Sequence, residues 1–406
     1  MMEDYRYMQV ANYRTAIIKN LSEITPDQWE QCRGAPFNQQ TTPFLSYAYL
    51  SALEQSGSAC TKTGWGTHFV TLWKGDELHA ALPMYLKTHS YGEYVFDWSW
   101  ANAFEQNNLP YYPKLLSAIP FTPVTGPRLL AVDQAAFDAL LGALIQHSEA
   151  GNTSTTHLLF LPEAQANQLQ AAGYMLRYGV QFHWTNQNYT DFASFLASLA
   201  QKKRKNILAE RRKVNEANIS FRHKVGDQIS RADWEFFVEC YNHTYYEHGG
   251  IGYLNLAFFL QIAETMPDNI LMITAYREGK PIAASLLFLD QETVYGRYWG
   301  CVEYHPCLHF ETAYYQPLEF CIANRLRYFE GGAQGEHKMA RGFLPKTTYS
   351  AHYVNHPAFA EAIERFLERE QVGINNYINE LEEHSPFAKH GKSSMNQIDQ
   401  DKSSDQ

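Results

Sequence analysis

The chain has 406 residues, of which 45% are hydrophobic and 19% charged. That is globular material for about two or three domains. A net charge of −10 excludes the basic coat of a duplex-DNA binder, leaving only local basic patches.

The first segment, MMEDYRYMQVANYRTAIIKN, has no charged start followed by an apolar stretch, so no signal peptide is expected. A helix start is read at Thr25, whose hydroxyl can cap the first turn, with Pro26 at the first helical position and Gln28 three after the cap. Phe44–Leu53 keeps apolar residues at helical spacing. Phe69–Leu86 reads as two β runs around a turn with Gly75. Tyr91–Trp100 interleaves aromatics with acids: Glu93, Tyr94, Asp97, Trp98 and Trp100. These could line an acceptor pocket or simply pack the core. Thr156–Leu161 and Phe182–Trp184 read as strands, and Asp191 caps a helix beginning at Phe192.

Gln201–Lys213 reads QKKRKNILAERRK, with one acid against seven bases. Ile207, Leu208 and Val214 fit one helical face. Lys202, Lys203, Arg204, Arg211 and Arg212 would make a phosphate-binding stripe, the alternative being a solvated helix face. A capped helix at Ser230, an amphipathic helix over Tyr253–Ile262 and a hairpin over Leu271–Leu289 with Gly279 come next. They repeat the first three elements at offsets near 205 residues, which predicts duplication of an α+β unit. The longest apolar run, Ala283–Leu289, is far short of the ~20 residues that span a bilayer. Cys32, Cys60, Cys240, Cys301, Cys307 and Cys321 form no CxxC pair, so reduced thiols are expected.

The densest chemistry lies between Tyr295 and Tyr353. A strand over Tyr295–Cys301 brings Tyr298 and Trp299, His309 and Glu311 follow, and a helix is expected over Thr312–Tyr328. Then EGGAQGEHKMARGF places Gln334, Glu336, His337, Lys338 and Arg341 among glycines. Transfer of an acyl group to an amine needs a base for the ammonium proton and donors for the oxyanion. Glu311, Glu336 and His337 can be bases; Gln334, Arg341 and backbone N–H groups can be donors. A structural histidine and a helix-start carboxylate are the alternatives for His337 and Glu311. Without HExxH spacing, no metal site is expected. There is also no GxSxG elbow, P-loop or strand-linked GxGxxG.

The segments LPMYLKTHSYGEYVFDWSWA, YPKLLSAIPFTPVTGPRLL, KKRKNILAERRK, YWGC, HFE and GAQGEHKMARGFLP resemble the FemAB-like family of N-acyltransferases, bacterial proteins of peptidoglycan biosynthesis or recognition. The resemblance implies an α+β fold of two tandem GNAT-like domains, expected at 1–185 and 186–385, with a disordered tail at 386–406. It implies an enzyme of the cytoplasm using acyl-CoA or aminoacyl-tRNA as co-substrate, with no tightly bound cofactor. Its acceptor amine would belong to a small molecule or peptidoglycan precursor. Catalysis would rest on Glu311, Gln334, Glu336, His337 and Arg341. Glu93, Tyr94, Asp97, Trp98, Trp100, Tyr298, Trp299 and His309 would bind substrate. The glycine-rich pyrophosphate loop of acetyl-CoA enzymes and the long coiled coil of some Fem enzymes are both missing, so the donor stays open. The other reading is a binding protein without turnover, which would hold a phosphate-bearing precursor or tRNA on the basic stripe.

Overall fold

A computed structural model describes residues 9–10, 12–39, 41–150, 153–333 and 335–388; the expected tail from 389 onward and Gln334 lie outside the described residues. The chain forms two compact units. The first takes the described residues up to Val180 together with Tyr253–Met266 and Thr347–Asn376; the second takes Gln181–Gly252, Pro267–Lys346 and those from Tyr377 on. The expected boundary at 185/186 thus lies just inside the second unit. The two segments that return to the first unit carry ordinary helix and strand patterns, and such patterns do not say which sheet they join.

In the first unit, Tyr13–Ile18, Phe69–Lys74 and Glu77–Leu82 pair antiparallel. The hairpin continues as Trp65–Thr67 against Tyr85–Lys87, and Lys114–Ser117 joins on the far side. Lys114–Ser117 runs parallel to Thr155–Leu161, which pairs with Leu344–Val354. The second unit repeats this order: Ile219–Val225, Ile270–Arg277, Lys280–Leu289 and Thr293–Cys301 are antiparallel. Tyr328–Glu330 follows in parallel and pairs with the end of Met175–Thr185. In each unit the last strand of this series comes from the other half of the sequence.

The duplication extends to detail. Thr25 accepts from the Gln28 amide and Ser230 from the Asp233 amide, starting helices Pro26–Arg33 and Arg231–Glu247; such a cap contributes about 1 kcal/mol. Helices Tyr47–Gln55 and Leu256–Thr265 follow. Both hairpins close on a pair (Lys74–Glu77, Arg277–Lys280) and skip one residue at the same place, His79 and Ile282. By this register Leu78 corresponds to Pro281.

Strand Thr293–Cys301 meets helix Arg231–Glu247 at Gly300, where a Cβ would lie 2.0 Å from the Cys240 carbonyl oxygen. Thr244 Oγ1 donates to Trp299 O at 3.1 Å beside it. Because the neighbour is backbone, Gly300→Ala should lower stability by about 1–3 kcal/mol, read as a fall in the urea midpoint at unchanged slope. Among the described residues no helix is long and apolar enough to cross a membrane.

Candidate functional site

The site in the second unit is built on helical breaks. After Cys307, whose φ is +68°, a helical run starts at Leu308 and widens into a π-turn over Glu311–Tyr315 before helix Gln316–Ala323. The expected helix over Thr312–Tyr328 therefore begins earlier and stops sooner, and Tyr328–Glu330 is a strand. A π-turn inserts one residue into a helix and often marks a functional position. The side chains of Glu311, Tyr314, Tyr315 and Gln316 on this stretch are all hydrogen-bonded.

The glycine-flanked block forms a 3-10 stretch, Glu336–Arg341, between Gly335 and Gly342. Gly335 has φ +114°, and a Cβ there would sit 2.3 Å from His337 Cε1. Only glycine lets the imidazole fold back over the chain. His337 is exposed, yet its ring lies 5.8 Å from Phe310 and 5.7 Å from Tyr314. Its Nε2 is 3.1 Å from Tyr314 Oη. Partial burial, then the cations Arg341 and Lys338, hold His337 below the ordinary histidine value.

Arg341 is buried, with its guanidinium 3.5 Å from the Phe310 ring centre. Its Nη2 donates to both Glu210 oxygens at 3.0 and 2.9 Å, and Nη1 donates to His337 O at 2.7 Å. Tyr315 donates to the same Glu210 carboxylate. Next to it on the helix, Arg211 donates to both oxygens of buried Glu311 and, at 2.6 Å, to Glu319. Gln316 adds a bond to Glu311 at 2.8 Å. The lone pairs of Glu311 are therefore committed, and its carboxylate ties the π-turn to helix Gln201–Glu216 instead of standing free as a base. Glu336 is exposed and accepts from Tyr377 at 2.5 Å, turned to a different partner from His337.

The other expected residues divide between the units. The Trp299 and His309 rings meet at 4.6 Å, inclined at 51°, and burial pushes His309 down to about 4. Tyr298 is buried edge-on against Tyr241. On helix Gln201–Glu216, Ile207 and Val214 are buried, but Leu208 is 51% exposed. Leu208 is one residue, about 100° of helix, off the Ile207–Val214 stripe. Arg211 is taken by its carboxylates, and Arg212 is 3.7 Å from Glu216. Lys202, Lys203 and Arg204 occupy the first turn, where no side chain caps the helix. In the first unit, Glu93, Asp97 and Trp100 are buried, Tyr94 is half-buried, and Trp98 is exposed.

Comparison with known proteins then fixes the family. A family model described as peptidoglycan biosynthesis/recognition matches residues 20–389. The chain belongs to the FemAB-like family. No curated protein matches it. Among solved structures it is similar to FemX, with a TM-score of 0.53 at 11% identity over 84% of this chain and 98% of that one. It is also similar to the C-terminal domain of a putative lysylphosphatidylglycerol synthetase from Agrobacterium fabrum, with a TM-score of 0.51 at 9% identity over 84% and 96%. A tandem GNAT protein from the clavulanic acid pathway matches at a TM-score of 0.43 and 11% identity, over 85% and 99%. At such identities the likeness concerns fold. The FemAB-like chain has the α+β fold expected of it, with one order of elements repeated in its two units.

Sequence reading missed several members of this FemAB-like site: Glu210, Tyr314, Tyr315, Gln316 and Glu319. The single acid in QKKRKNILAERRK was a usable signal. A lone carboxylate in a basic helix is more often a tether than a solvated charge. In the first unit it missed Lys87, Lys114, His157 and His352, which sit singly in apolar strands with nothing local to mark them.

Proposed function

We propose that this FemAB-like chain moves an acyl or aminoacyl group from an activated donor to an amine acceptor, with the chemistry in the second unit. The observation that carries this is His337, an exposed imidazole that partial burial and the Arg341 and Lys338 cations hold below the ordinary histidine value, beside the rings of Phe310 and Tyr314. In the tautomer whose Nε2–H donates to Tyr314 Oη, Nδ1 keeps a lone pair that can take the ammonium proton as nitrogen attacks the donor carbonyl. Arg341 supplies positive charge at a set position, and Gln334 keeps the oxyanion-donor role its sequence neighbourhood suggests. Glu311 positions the π-turn, and Glu336 with Tyr377 braces the loop's far side. Tyr298, Trp299 and His309 would wall the donor side, and Glu93, Tyr94, Asp97, Trp98 and Trp100 of the first unit would bind the acceptor. A peptidoglycan precursor fits the family description, and the compartment is the cytoplasm.

Lys202, Lys203 and Arg204, with Arg212 further along, would meet the phosphates of acyl-CoA or aminoacyl-tRNA. Ala200 N donates to Pro386 O at 2.9 Å, and the first-turn amides of Gln201, Lys202 and Lys203 with the positive helix end favour an anion there. Reversing Lys202, Lys203 and Arg204 to glutamate should raise the donor KM, and should flatten the salt dependence of donor binding. An unchanged KM and salt slope would remove this contact.

The deciding experiment offers acyl-CoAs and aminoacyl-tRNA with amine acceptors and follows donor consumption. Consumption lost in His337→Ala supports transfer. Donor binding without consumption in the wild-type chain favours the binding-protein reading.

A further inference from the structure

We propose that the first unit carries a recognition site for a primary ammonium group on an aliphatic chain, made by Glu93 and Asp97 together with the exposed aromatic side chains of Tyr91, Phe96 and Trp98 from the same short segment. This deepens the reading of the first unit as the acceptor-binding part and rests on it.

The site begins with two lysines where a core would have none. Lys87 and Lys114 lie directly opposite each other on neighbouring strands, and both are fully buried. Lys114 Nζ donates to Ser90 Oγ at 2.8 Å, Glu93 Oε2 at 2.7 Å and Asp97 Oδ2 at 2.5 Å. Asp97 Oδ2 also accepts from Tyr111 at 2.6 Å. Asp97 stands at the start of helix Trp98–Gln106 without capping it, because its carboxylate is turned to Lys114.

One oxygen of each carboxylate is thereby satisfied. The other, Glu93 Oε1 and Asp97 Oδ1, is buried with no hydrogen-bond partner among the described residues. Each carboxylate is 3% exposed. Lys87 Nζ approaches Glu93 Oε1 only to 3.8 Å and faces the Trp65 ring at 3.6 Å. A buried acceptor left without a donor costs about 1–3 kcal/mol, and more when charged. Two of them, on carboxylates gripped by one ammonium, call for a donor-rich cation.

The same short segment carries the rim. Tyr91, Phe96 and Trp98 are 58%, 52% and 37% exposed, and the Tyr91 and Trp98 rings meet at 5.0 Å. Tyr94 between them holds φ +64°, a left-handed conformation uncommon for a bulky residue. Exposed aromatics beside buried carboxylates suit an alkylammonium, with the rings covering the chain and attracting the charge.

Charge accounting admits the ligand. Two lysines balance two carboxylates while all four are charged, but burial, partly offset by Glu93, pushes Lys87 down to about 7, and burial, partly offset by Lys114, pushes Glu93 up to about 7, so the two share a proton. Lys87 can therefore give up its proton, and an incoming ammonium replaces that charge. The other titratable neighbours are His89, 3.5 Å from Lys87 Nζ, and His157, 3.7 Å from Asp97 Oδ2 and backed by His352.

The test uses the full chain labelled at its tryptophan indole nitrogens, titrated with pentylamine and, in parallel, pentan-1-ol. A saturable shift of the Trp98 or Trp100 indole signal is expected with pentylamine at millimolar concentration and not with the alcohol. Trp98→Ala and Glu93→Gln should each weaken it about tenfold or more. If Glu93→Gln does not fold, Trp98→Ala and the two wild-type titrations still decide. Equal responses to both probes, no saturation, or undiminished binding in the variants would overturn the site. Transfer at an unaltered amine KM in Glu93→Gln would sink this inference while leaving acyl transfer standing. Pentylamine binding without consumption of any donor would do the reverse.

Discussion

Lys114→Met should destabilise the chain by about 3–5 kcal/mol, the cost of leaving buried charge without its partner. Lys114 is 0% exposed and holds Glu93, Asp97 and Ser90 at once. Without its ammonium both carboxylates must take up protons or draw in water. The measurement is the urea midpoint of Lys114→Met beside that of Lys114→Met/Glu93→Gln/Asp97→Asn. The triple variant removes the charges together and should recover a large part of the loss, since groups in one network couple strongly. Equal midpoints for the single and triple variants would show that the loss comes from packing and not from charge.

The same cluster sets an acid limit on stability. Burial, with Lys114 adding to it, pushes His157 down to about 3, and burial holds His352 well below the ordinary value. Unfolded imidazoles titrate near ~6.5, so below that pH the unfolded chain binds protons that the folded chain refuses. Stability conferred by these histidines is full above about pH 6.5 and declines as pH falls below it. Lys114 and His157 outweigh burial at Asp97 and hold its carboxyl below the usual range, so its contribution is lost only at far lower pH. His157→Gln should soften the first decline, visible as a flatter melting temperature between pH 6.5 and 5.

What could be read from sequence divides along physical lines. The duplication was legible because caps, amphipathic helices and hairpins are local devices: Thr25 and Ser230, or the closing pairs Lys74–Glu77 and Arg277–Lys280, need only nearby residues. The exchange of final strands was not, because Met175–Thr185 and Leu344–Val354 look alike whichever sheet they complete. The same holds for the site. The glycines around His337 advertised a backbone with an unusual task, and Gly335 indeed makes room for the imidazole. Glu311 looked free, since its partner Arg211 lies 100 residues earlier in the chain. The first unit's lysines were invisible for a similar reason. A Lys in an apolar strand reads as a surface residue until its two carboxylates are placed beside it.

His337→Ala should lower the rate of transfer by about 10²–10⁴-fold, the usual contribution of a positioned base, with little change in melting temperature because the side chain is exposed. The pH profile distinguishes a base from a prop. As a base, the neutral imidazole is the working form, so the rate falls as pH drops through its folded pKa. Partial burial with Arg341 and Lys338 holds that value below the ordinary histidine range, which puts the acid limb of kcat/KM below pH ~6.5. Arg341→Gln removes one of the two cations and should move the limb upward, toward that of a free histidine. It also leaves Glu210 without its main partner, so the limb has to be read at a temperature where the variant is shown to be folded. Tyr314→Phe removes the hydroxyl at 3.1 Å and frees the ring to turn, which should lower kcat more than it raises the amine KM. If His337→Ala keeps the wild-type rate, or if its acid limb persists unshifted, the proton must leave the amine by another route.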